Sequence, residues 1–193
     1  MTALTHPFKV RCHDLPALIG DCSKLSTFCT RLEKQADWHP DRYDRDKYVG
    51  DGFELLIEAL IKLSPVDNRI AIGDYQIVTE DDLGVDGVGK GINGKVATVQ
   101  CKYRSNSTTV LTANQDHLSN FVMTSLIDDR YGVDKNDTKN MIVFTTAKGM
   151  HHFTDAEMFK NKVRCLGYEE LRGLLDNNEL FWHEFRRLCS NVE

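Results

Sequence analysis

The sequence predicts an α/β protein in which a mixed central sheet is flanked by helices. From residue 50 onward, an amphipathic helix in residues 50–63 comes first, and closely spaced strand candidates follow it. Further along the chain, apolar strand candidates alternate with helical patterns. Strands joined by tight turns pair antiparallel, whereas strands separated by helices pair parallel through crossovers. Antiparallel strands first and crossover units later therefore predict a mixed sheet covered by helices.

Residues 1–48 differ in pattern from the rest of the chain and are interpreted as a helical and loop extension. Residues 23–34 predict a short amphipathic helix, because their apolar residues recur at helical spacing. The segment ADWHPDRYDRDKY, residues 36–48, is polar and is broken by a proline. This composition predicts a loop.

The pattern becomes sharper from residue 50 onward. The segment GDGFELLIEALIKL, residues 50–63, predicts a helix, with Asp51 as its expected cap. A strand is predicted over residues 68–78, and an acidic, glycine-rich stretch follows it. An Asn-Gly dipeptide at residues 93–94 is typical of a hairpin turn. The segment KVATVQCKYR, residues 95–104, is then the returning strand.

The second half of the chain alternates strands and helices, which favours parallel pairing. The predicted elements are a helix capped by Thr112 and ending at Ile127, a buried strand at residues 141–146, a helix opened by a capping box of Thr154 and Glu157, a strand at residues 163–167, and helices at residues 168–176 and 181–189.

Composition restricts the class of protein before any motif is considered. The chain has 193 residues, 41% hydrophobic and 27% charged, which is typical of one globular domain. No apolar run reaches the roughly 18 residues of a membrane span, and the first residues contain no apolar signal-peptide core. We therefore expect an intracellular protein without a membrane segment, in which six scattered cysteines are free thiols. The net charge of -5 gives no bulk argument for a polyanionic partner.

Four polar side chains fall at positions that the predicted fold can bring together. Gln100 and Lys102 share one face of their strand, because side chains alternate along a strand. Asp86 lies one hairpin earlier, so an antiparallel pair places it beside that face. Glycines on both sides of Asp86 let the backbone bend and leave space at the carboxylate. Glu54 lies on the helix predicted at residues 50–63.

These four residues stand in motifs that resemble a known family. Gly-Phe-Glu in the helix, Gly-Val-Asp before the hairpin and Val-Gln-Cys-Lys in the returning strand resemble the Mrr-type branch of the PD-(D/E)XK nuclease superfamily, in which Gln replaces the acidic residue of the final motif. The later segments MIVFTT…FTDAEM and CLGYEELRGLL are similar to the later units of that branch. The resemblance extends over residues 50–176. It implies a restriction-endonuclease-like three-layer sandwich at residues 49–193, after an extension at residues 1–48.

The resemblance also implies metal-dependent hydrolysis of phosphodiester bonds in DNA, with Glu54, Asp86, Gln100 and Lys102 as candidate catalytic residues. Mg²⁺ is the expected cation because it prefers oxygen ligands, and Mn²⁺ is expected to substitute for it. Asp86, Gln100 and Glu54 are the expected side-chain ligands, and the resemblance adds the backbone carbonyl of Cys101. Lys102 is expected to hold the attacking water and to offset charge on the phosphate.

Each assignment has a structural alternative. Gln100 and Lys102 also fit the solvated face of an amphipathic strand. Asp86 also fits a turn aspartate in a glycine-rich loop. Glu58 lies one helical turn after Glu54 on the same face and is the alternative helix carboxylate.

DNA is the expected substrate, with Tyr103, Arg104 and Lys148 as candidate contacts. A second copy of the chain and a helicase or other motor subunit are candidate partners. Restriction, defence, mobile-element and recombination contexts remain open, as do dimerisation, DNA recognition and covering of the sheet as roles for residues 1–48. The alternative function is a non-catalytic subunit of the same fold that binds nucleic acid or a protein.

Overall fold

The fold is a mixed five-stranded sheet packed between helices, which confirms the predicted fold class. The computed structural model describes residues 3–12, 14–38, 42–64, 67–79, 84–112, 118–127, 130–134, 138–151 and 163–190. The helices are α1 (Phe8–Arg11), α2 (Leu15–Ile19), α3 (Leu25–Ala36), α4 (Arg42–Leu63), α5 (Leu118–Ser125), α6 (Tyr168–Leu175) and α7 (Glu179–Ser190). The strands are β1 (Ile72–Ile77), β2 (Gly87–Gly91), β3 (Val96–Lys102), β4 (Val110–Leu111), β5 (Met141–Thr145), β6 (Gly149–Met150) and β7 (Arg164–Leu166).

The main sheet has the strand order β1-β2-β3-β5-β7. The first three strands pair antiparallel, and β3, β5 and β7 pair parallel. The prediction that hairpin-linked strands precede crossover units is therefore confirmed. A second, parallel sheet of β4 and β6 was not predicted, because strands of two residues carry no readable alternation.

Two apolar cores cover the two faces of the main sheet. On one face, Val99 and Cys101 of β3 belong to the core that contains α4. On the other face, Val143 of β5 belongs to the core that contains Phe121 of α5. Gln100 is in register with Val143, so its side chain points into the second core. The central strand β3 is thus covered on both sides.

Helix α4 is longer than the sequence predicts. The predicted loop over residues 36–48 is wrong from Arg42 onward, where α4 begins. This part of the helix has no apolar stripe before Tyr48, so its periodicity carries little signal. Tertiary packing stabilises this part of the helix, since the rings of Tyr48 and Phe8 pack edge to face at 4.7 Å.

The position of Asp51 also differs from the prediction. Because α4 begins at Arg42, Asp51 lies inside the helix and is not its cap. Its buried carboxylate forms ion pairs with Arg11 and, at 3.4 Å, with Lys47. Asp51 therefore connects α1 to α4.

The first three helices share one apolar core with α4, the sheet and the C-terminal helices. Phe28 of α3 lies 6.3 Å from the rings of both Trp182 and Phe185 of α7. Helix α4 continues without a break across the predicted boundary between the extension and the nuclease domain, after residue 48. That division stays a prediction about domains. All six cysteines are free, as predicted.

Strand β1 stands at one end of the strand order and is irregular. Its register with β2 shifts between Gly73 and Gln76. Asp74, in between, has a φ of 49°, in the left-handed region. The strand predicted over residues 68–78 is shorter than expected, because residues 68–70 form a turn.

Some predictions lie outside the described residues. They are the helix opened by Thr154 and Glu157 and the first part of the helix capped by Thr112, at residues 113–117. Within the described part of the chain, no helix combines the length and the apolar character that a membrane span requires.

Candidate functional site

Asp86 lies immediately before β2, at the point where β1, β2 and β3 meet. Its backbone carbonyl accepts a hydrogen bond from the Val78 N–H at 3.0 Å, and its N–H donates to the Val99 carbonyl at 2.9 Å. Its carboxylate Oδ2 accepts from the Cys101 N–H at 2.5 Å. The N–H and C=O of one strand residue point to the same side. The Cys101 carbonyl is therefore directed to the edge of β3 at which the Asp86 carboxylate stands.

Two glycines beside Asp86 make room for its neighbours. Gly84 has a φ of 90°, and a Cβ at this position would lie 3.1 Å from Nε2 of Gln100. A Cβ at Gly87 would overlap the ring of Tyr75. The predicted bend is confirmed at Gly84. The space that the glycines provide is used by Gln100 and Tyr75, whereas the prediction placed it at the carboxylate.

The side chain of Gln100 is fully buried. Neither Oε1 nor Nε2 has a hydrogen-bond partner among the residues that the structure describes. Buried polar atoms are nearly always paired, because an unpaired one costs about 1–3 kcal/mol. The alternative of a solvated strand face is therefore wrong for Gln100, since both faces of β3 are covered. An amide oxygen on the strand whose edge carries the Asp86 carboxylate, together with that carboxylate and a strand carbonyl, is a set of oxygen donors of the kind that Mg²⁺ prefers.

Lys102 shares the face of Gln100 and is half-buried. The backbone there is fixed, because the Thr145 hydroxyl donates to the Lys102 carbonyl at 2.6 Å. The thiol of Cys101 shows how charges are distributed around this strand end. Burial raises its pKa most, the carboxylates of Asp86 and Glu54 raise it further, and the Lys102 ammonium lowers it. Charges from three separate elements therefore act on one side chain.

The two helix carboxylates have different environments. Glu54 is partly exposed, and its Oε2 lies 2.9 Å from Nε2 of His6. Glu58 has no exposed surface and accepts hydrogen bonds from the Thr5 N–H and hydroxyl, the His6 N–H and the Lys62 ammonium, at 2.6–3.0 Å. Glu58 is thus occupied in holding the N-terminal segment. This favours Glu54 over Glu58 as the site carboxylate.

Glu58→Gln is expected to lower the free energy of unfolding at pH 7 by about 3 kcal/mol, because it leaves the Lys62 ammonium without its carboxylate. Burial by itself raises the pKa of Glu58, but the hydrogen bonds from Lys62, Thr5 and His6 outweigh burial, so the pKa lies below its usual 4.5. A carboxylate whose pKa is depressed by folding stabilises the protein above its unfolded-state pKa and loses that contribution as pH falls through the folded-state value.

Urea denaturation at pH 7 and at several values below pH 4.5 measures this effect. The difference between wild type and Glu58→Gln is expected to be full at pH 7 and to shrink in the acid range. Glu179→Gln, on the exposed first turn of α7, is the matched control and is expected to change little at either pH. A difference that is the same at pH 7 and in strong acid contradicts the assignment.

Sequence reasoning missed His6. One ligand atom each from His6, Asp51 and Glu54 lies within 4.8 Å of the others. His6 is separated from Glu54 by 48 positions and stands in a segment without a pattern, so the sequence held no signal for it.

The three candidate DNA contacts lie at or after the ends of β3 and β5. The Tyr103 hydroxyl donates to Glu33 of α3 at 2.9 Å, and its ring packs on Phe53, so this side chain is held inward. The Arg104 N–H donates to the Thr146 hydroxyl at 2.6 Å. Lys148 is exposed. Arg104 and Lys148 are therefore better candidates for DNA contacts than Tyr103.

The mixed five-stranded sheet flanked by helices is consistent with a restriction-endonuclease-like fold. Residues 69–185, more than half of the chain, match the family model Mrr_cat_2, described as restriction endonuclease. The chain belongs to this family, which confirms the resemblance to the Mrr-type branch. The match contains Asp86, Gln100 and Lys102 and begins after Glu54. No curated protein matches the chain.

Proposed function

We propose that the chain is a metal-dependent DNA endonuclease that hydrolyses phosphodiester bonds. One observation carries this proposal beyond family membership. The buried carboxamide of Gln100, which has no partner among the described residues, lies on the strand whose edge carries the Asp86 carboxylate. Asp86, Gln100, Glu54 and the Cys101 carbonyl would hold the ion. Mg²⁺ is the proposed cofactor, with Mn²⁺ as its substitute, because all four donors are oxygens.

A bound Mg²⁺ supplies an activated water and offsets charge on the phosphate. The Cys101 N–H fixes the orientation of the Asp86 carboxylate, which is the charged oxygen donor at the edge of β3. Gln100 adds a neutral oxygen. Its side chain lies on the face of β3 opposite to the Cys101 side chain. The Lys102 ammonium, two residues further on, orients the attacking water and stabilises the charge that develops on the phosphate oxygens.

One site of this kind cuts one strand, so we propose a homodimer for cleavage of both strands of a duplex. A helicase or other motor subunit is the alternative assembly. Arg104 and Lys148 are proposed to contact the DNA backbone, which they would bind through phosphate charge and not through base sequence.

Cleavage of supercoiled plasmid, single-stranded and branched DNA with Mg²⁺, Mn²⁺ or EDTA tests the function. We expect nicked or linear product with either metal and no product in EDTA. Thermal unfolding gives a readout without DNA, because Mg²⁺ at ten times its dissociation constant is expected to stabilise the fold by about 1.4 kcal/mol. A folded protein that neither cuts DNA nor gains stability from metal contradicts the proposal and favours the non-catalytic subunit.

A further inference from the structure

The carboxylate of Glu54 is held by a residue from the N-terminal segment. Nε2 of His6 lies 2.9 Å from Oε2 of Glu54, and the His6 side chain is 8% exposed. The family match begins at residue 69, so neither residue belongs to the matched part of the chain. The contact therefore lies outside the matched part of the chain.

A second hydrogen bond fixes the tautomer of His6. The Phe8 N–H, which can only donate, points to Nδ1 of the ring at 3.2 Å. Nδ1 must therefore present a lone pair, and the ring proton stands on Nε2. The contact with Glu54 is thus an N–H donated to a carboxylate. This leaves the second oxygen of Glu54 for another partner.

The backbone around His6 is anchored independently of Glu54. Glu58, one helical turn along α4, accepts from the N–H of His6 at 3.0 Å and from the N–H of Thr5 at 2.8 Å. The Lys62 ammonium donates to the Ala3 carbonyl at 2.9 Å. The backbone of His6 and its ring are thus held by bonds that do not involve Glu54. A group that orients another residue must be fixed independently in this way.

We propose that His6 is a positioning residue that orients the carboxylate of Glu54 for the metal site; this rests on the proposed function. Groups that hydrogen-bond to a metal ligand fix its orientation, and their loss typically weakens metal binding or activity 10–100-fold. A separate cation site at His6, Asp51 and Glu54 fits less well. Nε2 carries the proton, and the Asp51 carboxylate is already paired with Arg11 and Lys47.

Two conservative variants separate orientation of Glu54 from anchoring of the segment. His6→Gln can place its amide N–H where Nε2 stands and so keeps the donor to Glu54. His6→Asn can place its amide oxygen where Nδ1 stands and so keeps the acceptor for Phe8, but it has no group that reaches Glu54. We expect His6→Asn to weaken Mn²⁺ binding about 10–100-fold, measured by calorimetry, and His6→Gln to bind Mn²⁺ more tightly than His6→Asn.

A double variant tests whether His6 acts through Glu54. Because the effect of His6 passes through that carboxylate, His6→Asn is expected to cause no further loss of Mn²⁺ affinity in a Glu54→Gln background. His183→Asn, on the exposed side of α7, is the matched control and is expected to bind Mn²⁺ as wild type does.

The outcomes distinguish this inference from the proposed function. Wild-type affinity in His6→Asn, equal loss in His6→Gln and His6→Asn, or full additivity in the double variant overturns the positioning role of His6. If wild type binds no Mn²⁺, or if Asp86→Asn binds it as tightly as wild type does, the proposed metal site itself fails. Cleavage rates over a Mn²⁺ titration are expected to follow the same order as the affinities.

Discussion

Asp86→Asn is expected to lower the rate of DNA cleavage by about a thousandfold or more, while the fold stays intact. A bound cation contributes several kcal/mol to catalysis of this kind, and each 1.4 kcal/mol or so is a factor of ten in rate. The amide oxygen of the variant can still accept the hydrogen bond that the Cys101 N–H donates to Asp86 in the wild type. The substitution therefore removes the charge of the ligand and keeps the bond that ties it to β3.

Plasmid cleavage, calorimetric Mn²⁺ binding and urea denaturation measure the three consequences of this substitution. Metal binding and cleavage are expected to fall together, with little change in the free energy of unfolding. Asp74→Asn is the matched control: Asp74 is exposed on the neighbouring strand β1 and pairs only with Lys90 across the surface among the described residues. Cleavage by Asp86→Asn at the wild-type rate contradicts the proposed role, and so does unfolding of the variant.

Gln100→Met is expected to have two opposite effects. Methionine is close to glutamine in length and volume but has no amide, so it removes two buried polar atoms that lack partners in the described protein. The free energy of unfolding in EDTA is therefore expected to rise by about 1–3 kcal/mol. Metal affinity and cleavage are expected to fall at least tenfold, because a ligand oxygen is lost. Stability and activity would then be in conflict at this position.

Urea denaturation in EDTA and Mn²⁺ calorimetry on the same preparations test both effects. Gln76→Met, at an exposed position of β1, is the matched control and is expected to change stability by less than about 0.5 kcal/mol. If Gln100→Met is less stable than wild type without metal, the carboxamide has a structural partner and its assignment as a metal ligand is contradicted.

Part of this site could be predicted from the sequence because it depends on strand geometry. Alternation places Gln100 and Lys102 on one face, and one intervening hairpin brings Asp86 beside them. Both statements follow from periodicity and turn chemistry. The register of β2 with β3 brings Asp86 to the end of β3, where its carboxylate accepts from the Cys101 N–H. The switch from antiparallel to parallel pairing could be predicted for the same reason.

Other features depend on tertiary contacts that leave no periodic signal. The first turns of α4 are polar but helical. Tertiary contacts stabilise this part of the helix, since Phe8 packs on Tyr48 and Arg11 pairs with Asp51. His6 is placed by the hydrogen bond that its N–H donates to Glu58. The sequence pattern does not distinguish Glu58 from Glu54, because both lie on the same face of the helix. Gln100 is in register with Val143, on the face that packs with Phe121 of α5, and the packing of α5 cannot be inferred from strand β3 alone.

The irregularity of β1 affects how copies of this protein can associate. An edge strand normally offers a row of N–H and C=O groups on which another chain can form a further strand, which is a route to aggregation. The register shift between Gly73 and Gln76 and the left-handed backbone at Asp74 bend the strand and interrupt this row. The surface ion pair of Asp74 with Lys90 adds two charges there. Continuous strand addition at this edge is disfavoured, so the proposed homodimer is expected to form through a different surface.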